Sequence, residues 1–379
     1  MARHRDTKLV RRLLLAVGLL FTVALLLNQG LALASGPLTL PERLADQEFW
    51  RLSQDFSEPG GTFHSDNFVS NEGRFQLVIP DLVHRTKPGG LYIGVGPEQN
   101  FSYIAATRPA MAFIVDIRRG NLHEHLLYKA LFEMSATRVD FLSRLFSREK
   151  PAGLSPAATP QQLFAAFDAV RPTDARYRQN LAAVIEWLTK KHGLPLSAED
   201  REGIDYVYRT AFFADGPELG YQLTGTGRTT QHPTYAQMMS TDDGQGRQRS
   251  YLAREEPFQF MKDLEARNLL VPVVGDFGGP KALRAVGRYA KAQGAIVSAF
   301  YLSNVEQYLR QDLKTGAFCA NVAAMPLDAS STFIRSMAGR GFSRSGSVPG
   351  GLGMFSLSLG EMQAEVKACA PVAGGGARR

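Results

Sequence analysis

Short runs of apolar residues that end in glycine or an acid mark the start of an α/β core. Residues 91–96 form one such run and end in Gly94 and Gly96, a pattern that predicts a buried strand followed by a tight turn. Residues 112–117 form a second run with Asp116 near its end. A helical pattern follows each strand, and this order predicts the opening of a doubly wound, Rossmann-like sheet.

The strand pattern resumes in the second half of the chain. Residues 269–275 predict a third strand, although Pro272 is awkward there because proline cannot donate a hydrogen bond to a sheet ladder. Residues 295–301 predict a fourth strand, and 317–325 and 354–359 are interpreted as further short strands. The predicted fold class is therefore α/β, with a doubly wound Rossmann-like sheet.

A helical insertion interrupts this sheet. Residues 150–250 contain three helical patterns, and the stretch 225–248 is rich in Gly, Thr and Ser, which is typical of a mobile loop. The polar stretch 63–72 is either a solvated loop or a lining of the site near the first strand. We predict a leader over 1–34, a linker and N-terminal extension over 35–86, the first half of the sheet domain over 87–149, the insertion and loop over 150–250, the second half over 251–365, and a flexible tail over 366–379.

Residues 1–34 carry the three parts of a secretory signal peptide. Basic residues precede an apolar run over 13–27, and Ala32 and Ala34 supply a small-residue cleavage pattern. An uncleaved anchor is the alternative, because residues 13–34 are long enough to span a bilayer. The basic flank favours an N-terminus that stays inside. We therefore expect an exported, periplasmic or extracytoplasmic protein, or one anchored to the inner membrane by its N-terminus.

The distribution of charge along the chain bears on whether the protein binds nucleic acid. The net charge is +7, and the leader supplies more than half of it, since residues 1–34 hold five Lys and Arg residues against one acid. The rest of the chain has no basic run interleaved with aromatic residues, so we predict no nucleic-acid partner.

Cys319 and Cys369 form a disulfide in an exported chain or remain separate thiols, and both alternatives stay open.

Gly94, Gly96 and Asp116 form the pattern that indicates a candidate cofactor site. Glycines at a strand end let the backbone approach a ligand, and an acid about 20 residues further on is placed to bind ribose hydroxyls. A dinucleotide site would need a third glycine, and Glu98 would put negative charge against the phosphates. S-adenosylmethionine (SAM) has no phosphate and carries positive charge, so electrostatics favour SAM over NAD. A tight turn without a cofactor is the alternative, with Asp116 paired to a neighbour such as Arg118.

The same residues resemble a known family. The run 91–96, together with the acid after the next strand, resembles the first two motifs of class I SAM-dependent methyltransferases, and 275–280 loosely resembles their later strand-end motif. More closely, 92–100 and 304–308 look like a bacterial family of unassigned function with a methyltransferase-like fold, and this resemblance covers residues 60–340. It implies a sheet of the methyltransferase type and a SAM cofactor held by Gly94, Gly96, Glu98, Asp116 and Asp276.

Two further sets of residues have side chains suited to a binding site. Tyr301 and Asn304 follow the fourth strand, at the sheet edge where open α/β folds bind ligands, and we predict that they contact a substrate. A helix cap is the alternative for Asn304. His123 and His125 look like metal ligands, but residues two apart on a helix face different sides, so we predict a solvated helix start and no metal site. The pattern identifies no catalytic residue.

Two functions from different classes fit these observations. The first is a SAM-dependent methyltransferase-like protein of the cell envelope that acts on a small molecule or an envelope component. The second is a non-catalytic exported protein that binds a ligand or partner through the same crevice or through the helical insertion. SAM is made and kept inside the cell, whereas the leader directs the domain outward, and fold alone does not decide between the two.

The leader gives a prediction that mass spectrometry tests directly. We expect cleavage near Ala34, so the exported protein should begin near Ser35. Mass measurement of the protein recovered from the expressing cells reads this out. Recovery of the intact N-terminus in the membrane fraction would contradict cleavage and support the anchor.

Overall fold

A computed structural model of the chain describes residues 39–223, 227–228, 232–338 and 355–369. The predicted leader and the last ten residues of the predicted tail lie outside these ranges, so the leader and its cleavage stay predictions. None of the helices within the described ranges has a stretch long and apolar enough to cross a bilayer.

One six-stranded, mostly parallel sheet forms the centre of the fold. Its order is β5-β2-β1-β6-β7-β8, and within the described ranges only the pairing of β8 with β7 is antiparallel. A short hairpin, β3–β4, stands apart from it. The α/β class predicted from the sequence is confirmed. The strands are β1 (Leu91–Gly94), β2 (Met111–Asp116), β3 (Gln222–Leu223), β4 (Gly227–Arg228), β5 (Leu270–Val274), β6 (Val297–Ser303), β7 (Thr332–Ala338) and β8 (Phe355–Glu361).

Helices account for most of the remaining regular structure in the described residues. They are α1 (Asp46–Phe56), α2 (Ile79–Arg85), α3 (Gln99–Thr107), α4 (Arg119–Met134), α5 (Arg138–Leu145), α6 (Pro160–Asp168), α7 (Asp174–Glu186), α8 (Ala198–Val207), α9 (Tyr235–Ser240), α10 (Glu255–Ala266), α11 (Ala282–Ala292), α12 (Val305–Gln311), α13 (Thr315–Ala323) and α14 (Met362–Cys369). Short 3₁₀ turns lie at Phe75–Val78 and Gly216–Glu218, and π turns at Trp187–Lys191 and Tyr208–Phe213.

The apolar runs that predicted strands are buried along their whole length. Every residue of β1, β2 and β5 is buried, which explains why these strands read as continuous apolar runs rather than as alternating patterns. The four predicted strands correspond to β1, β2, β5 and β6. The core of the fold therefore follows directly from the hydrophobic pattern.

Pro272 is accommodated because β5 is an edge strand. Among the described strands, β5 pairs only with β2, so the missing N–H of Pro272 interrupts no inner ladder. The segment around the end of α1 covers the other side of β5. Ser53 Oγ donates to the carbonyl of Pro272 at 2.7 Å, Val274 N donates to Ser57 Oγ at 2.9 Å, and Glu58 N donates to the carbonyl of Val274 at 2.8 Å.

Three local expectations were wrong. The strand expected over 317–325 is the helix α13, because Phe318 and Val322 are spaced to bury one helical face. The loop expected over 225–248 contains the helix α9, which a capping box at Thr234 starts. Residues 366–369, expected in a flexible tail, close α14. The strand expected over 354–359 is confirmed as β8, and the domain boundaries themselves stay predictions.

Cys319 of α13 and Cys369 of α14 form a disulfide. This resolves the alternatives that the sequence left open. The bond ties the last described helix to the layer beside the sheet, where α13 and α14 are also in contact. Because the two cysteines are 50 residues apart, the bond restricts a long stretch of the unfolded chain.

The cover over β5 gives a stability prediction. We expect Ser57→Ala to lower the free energy of unfolding by about 1–2 kcal/mol, because it removes the acceptor of the Val274 N–H at the sheet edge. Urea unfolding followed by circular dichroism measures this. Asp55→Ala on the exposed side of the same helix is the control and should change stability by less than about 0.5 kcal/mol. Equal effects of the two substitutions would show that the edge contact does not stabilise the fold.

Candidate functional site

The carboxyl ends of four parallel strands open into one cavity. β1, β2, β5 and β6 end at the same edge of the sheet, and a cavity of about 480 Å³ lies there. From β1, the strands that come next in the chain, β2 and then β5, are added on one side of the sheet. The later strands β6 and β7 are added on the other side, so the strand order changes direction between β1 and β6. Open α/β sheets bind ligands at such a switch point, and the volume is in the range of small-molecule sites.

The cavity brings together five of the seven residues predicted for the site. These are Gly96 after β1, Asp116 at the end of β2, Asp276 after β5, and Tyr301 and Asn304 at the end of β6. The other two predicted residues, Gly94 and Glu98, do not line it.

The two glycines have different structural roles. Gly96 lines the cavity with a φ of 75°, a conformation that favours glycine and leaves the backbone open to a ligand. Gly94 lies inside β1, where an added Cβ would stand 1.9 Å from Asn100 Oδ1. Asn100 Nδ2 in turn donates to the carbonyl of Pro97 at 2.7 Å. Gly94 therefore makes room for the side chain that holds the turn. Asn100 ends the run 92–100 that carries the family resemblance, but the sequence assigned it no role.

Asp116 faces the cavity as half of an ion pair. Its Oδ1 accepts hydrogen bonds from Arg118 N at 2.9 Å and Arg118 Nε at 3.1 Å, and its Oδ2 accepts one from Arg118 Nη2 at 3.0 Å. Burial alone would lower the pKa of Arg118, but the charge and hydrogen bonds of Asp116 outweigh burial and raise it. The neighbouring Arg119 pairs with Asp200 instead. Asp116 thus makes the structural contact that the sequence offered as the alternative to ribose binding.

Asp276 is likewise neutralised by a cation of the chain. Lys314 Nζ donates to Asp276 Oδ2 at 2.7 Å, and Gly278 N donates to Oδ1 at 2.8 Å. The hydrogen bond to Asp276 raises the pKa of Lys314. Because Asp116 and Asp276 both have an internal partner, the cavity wall presents little uncompensated charge at either carboxylate.

Glu98 lies on the inner side of the glycine turn. It is the N-cap residue of α3, it is fully buried, and neither carboxylate oxygen accepts a hydrogen bond from a side chain among the described residues. Only backbone N–H groups of Glu98 and Ser70 act against the effect of burial. Burial raises the pKa of Glu98 to about 8. The carboxyl of Glu124, also fully buried, has its pKa raised by burial as well. Glu98 therefore points into the protein interior and not toward a ligand.

The end of β6 is strained next to the cavity. Ser303 has a φ of 48°, which is uncommon for a residue other than glycine and is often found at functional sites. Its Oγ donates to the buried carboxylate of Glu72 at 2.6 Å. Asn304 occupies the N-cap position of α12, but its side chain makes no capping hydrogen bond. Asn304 lines the cavity, so the helix cap that the sequence offered as its alternative role is not made by its side chain.

The polar stretch 63–72 forms one wall of the cavity. Phe63 and Tyr308 meet edge to face with ring centroids 5.1 Å apart, and the ring of His64 lies 4.0 Å from that of Phe63. Asn67 and Asn71 add amide groups to the same wall. The lining role that the sequence left open is the one that the structure shows. The signal for it in the sequence was its position shortly before the first strand of the sheet.

The His123–Glu124–His125 segment is buried, so the expected solvated helix start was wrong. The prediction that the two histidines face different sides is confirmed. His123 Nε2 bonds Asp200 Oδ1 at 3.0 Å, whereas His125 Nε2 donates to the carbonyl of Gly96 at 3.0 Å. Burial lowers the pKa of His125 to about 4, so it holds the glycine turn as a neutral ring. Within the described ranges, no three His, Cys, Asp or Glu side chains are arranged to hold a metal ion.

Comparison with known proteins identifies the family. The model described as Domain of unknown function (DUF7790) matches residues 67–156 and 161–363. The match spans more than half of the chain, and the protein belongs to this family. It agrees with the resemblance to a family of unassigned function, and it gives no information on a methyltransferase fold. No curated protein sequence matches the chain.

The burial of Glu98 predicts an unusual pH dependence. Its pKa is about 8 in the fold against an ordinary value of 4.5, so its contribution to stability is complete below pH 4.5 and is lost as the pH rises to about 8. Between these values the free energy of unfolding should fall by up to about 1.4 kcal/mol per pH unit. We expect Glu98→Gln to remove this fall, so that the variant melts near the wild type at pH 5 and well above it at pH 8.

Thermal melting between pH 5 and pH 9 measures this difference. Glu199→Gln, on the exposed first turn of α8, is the matched control because a solvated carboxylate has no burial to relieve. A Glu98→Gln variant that is less stable than the wild type at pH 8 would contradict the effect of burial on Glu98.

Proposed function

We propose that this member of the DUF7790 family is a SAM-dependent methyltransferase-like protein with a Rossmann-like sheet of the methyltransferase type. One observation carries the proposal: Gly96, Asp116, Tyr301 and Asn304 converge on a single cavity at the switch point of the sheet. The strand order supports it, because numbering the sheet strands along the chain gives 3-2-1-4-5-6, an order of doubly wound nucleotide-binding folds.

The cavity fits a nucleoside that carries no phosphate. Asp116 Oδ2 accepts one hydrogen bond, and a carboxylate oxygen has room for a second, from a ribose hydroxyl. Gly96 presents bare backbone beside it. Arg118 and Lys314 are engaged by carboxylates of the chain, which leaves them poorly placed to bind phosphate. Bound there, SAM would supply an activated methyl group.

The acceptor would be a small molecule or an envelope component near Tyr301 and Asn304. Methyl transfer needs chiefly an alignment of nucleophile and methyl group, so the absence of an acid–base motif in the sequence does not weigh against it. The leader and the disulfide between Cys319 and Cys369 support a location outside the cytoplasm, where disulfides persist.

A second function is favoured by the Asp116–Arg118 pair itself. Three hydrogen bonds from Arg118 hold the carboxylate that a ribose would use, as expected of a fold that retains the crevice but has no nucleotide to bind. In this case the protein is a non-catalytic exported protein that binds another small ligand or a partner at the cavity. An outward location, where SAM is not made, fits this alternative.

Calorimetry with SAM and its demethylated product separates the two functions. We expect both compounds to bind the wild type, and Asp116→Asn to weaken binding about ten- to a hundredfold, because a charge-assisted hydrogen bond to ribose is worth roughly 1.5–3 kcal/mol. Asp200→Asn is the matched control. It breaks the neighbouring pair with Arg119 without changing the cavity wall, so it should lower stability and leave affinity unchanged.

Two results would decide against the methyltransferase-like function. One is a wild type that binds neither compound at millimolar concentration. The other is equal loss of affinity in the Asp116 and Asp200 variants, which would mean that both act only through stability.

A further inference from the structure

A second, smaller pocket lies between the C-terminal end of α3 and the N-terminal end of α10. It shares no lining residue with the cavity at the sheet edge. Its volume is about 180 Å³, below the usual size of a site for a whole small molecule. Four arginines line it: Arg108, Arg247, Arg249 and Arg254. Size and lining together point to a small anionic group.

Two of the four arginines already hold carboxylates of the chain. Arg108 pairs with Glu256, and Arg249 Nε donates to Asp243 Oδ2 at 2.5 Å. Asp243 also accepts hydrogen bonds from two backbone N–H groups of its own loop, at 3.0 and 3.1 Å. Two arginines of the pocket, Arg108 and Arg249, are therefore held in place by carboxylates of the chain.

The other two arginines, Arg247 and Arg254, form no ion pair within the described residues. The guanidinium groups of Arg247 and Arg254 have no acidic partner and no hydrogen bond within the part of the chain that the structure describes. Both side chains belong to exposed residues at the rim of the pocket. Since Glu256 and Asp243 are matched by Arg108 and Arg249, the pocket has an excess of two positive charges.

A buried hydroxyl independently favours a ligand in this pocket. Ser250 is fully buried and lines the pocket, yet its Oγ has no hydrogen-bond partner among the residues that the structure describes. A buried hydroxyl without a partner destabilises a fold. An oxygen atom of a ligand in the pocket would accept its hydrogen bond and remove that cost.

We propose that this pocket binds a phosphate group, with Arg247 and Arg254 as its charged ligands and the Ser250 hydroxyl as a neutral donor. Arginine is suited to this role because its planar guanidinium matches the geometry of phosphate oxygens. The phosphate comes free in solution, as a small ester, or as a lipid headgroup. The chemistry of recognition is the same in each case, and the proposal does not depend on whether the cavity at the sheet edge binds SAM.

Thermal melting and calorimetry of the full chain with inorganic phosphate test the pocket, with potassium chloride at matched ionic strength as the salt control. Phosphate should raise the melting temperature of the wild type, and Arg254→Gln should weaken phosphate binding about tenfold or more. Arg178→Gln, an exposed arginine of α7, is the matched control and should bind as the wild type does.

Ser250→Ala gives a response that a purely structural role would not give. Without phosphate the variant should melt at or above the temperature of the wild type, because an unpartnered hydroxyl is lost. With phosphate it should bind several-fold more weakly. A melting temperature clearly below that of the wild type in phosphate-free buffer would show that the hydroxyl already has a partner, and would overturn the proposal.

Vesicles of phosphatidylcholine with and without phosphatidylglycerol identify the source of the phosphate. Binding to the anionic vesicles that Arg254→Gln and Ser250→Ala both weaken supports the pocket with a lipid headgroup as its ligand. Vesicle binding that neither variant changes, together with no effect of inorganic phosphate, overturns the proposal. So does equal phosphate affinity in the wild type and both pocket variants.

Discussion

Parallel pairing of β1 with β2 on one side and β6 on the other is the constraint on which the site depends. Tyr92 is opposite Ala112 in one neighbour and Ala299 in the other. Because all three strands run the same way, their carboxyl ends reach the same edge of the sheet. Residues far apart in the sequence, such as Gly96 and Tyr301, therefore line one cavity, and the polar stretch 63–72 forms one of its walls.

Charge is distributed differently in the two pockets. At the sheet edge, Asp116 and Asp276 each have a cation of the chain as partner, so a ligand there meets amides, hydroxyls and aromatic rings more than net charge. In the pocket at the start of α10, arginines exceed acids. An anion gains less from paired charges than from unpaired ones, since a paired guanidinium must first give up its carboxylate. The two sites therefore suit ligands of different charge.

The sequence predicted the parts of the fold that depend on local pattern. β1 and β2 are fully buried, so their continuous apolar runs were sufficient to predict both strands. What it could not predict depends on contacts between distant segments. Pro272 fits because β5 is an edge strand covered by α1. The same limit applies to the site: spacing placed Asp116 at the cavity, but its hydrogen bonds to Arg118 depend on the conformation of the following turn, which spacing does not determine.

The segment before β1 is an integral part of the fold, although its composition predicted a linker and an extension. Its first part covers the edge of β5 through Ser53 and Ser57, and its middle lines the cavity. Its last part reaches the second pocket, where Gln76 Oε1 accepts a hydrogen bond from Arg249 N at 2.5 Å. The match to the DUF7790 model begins at residue 67, after the residues that cover β5. A chain that began at residue 67 would leave the outer backbone groups of β5 uncovered, and an uncovered edge strand can pair with other chains. The structural unit therefore begins earlier than the family match.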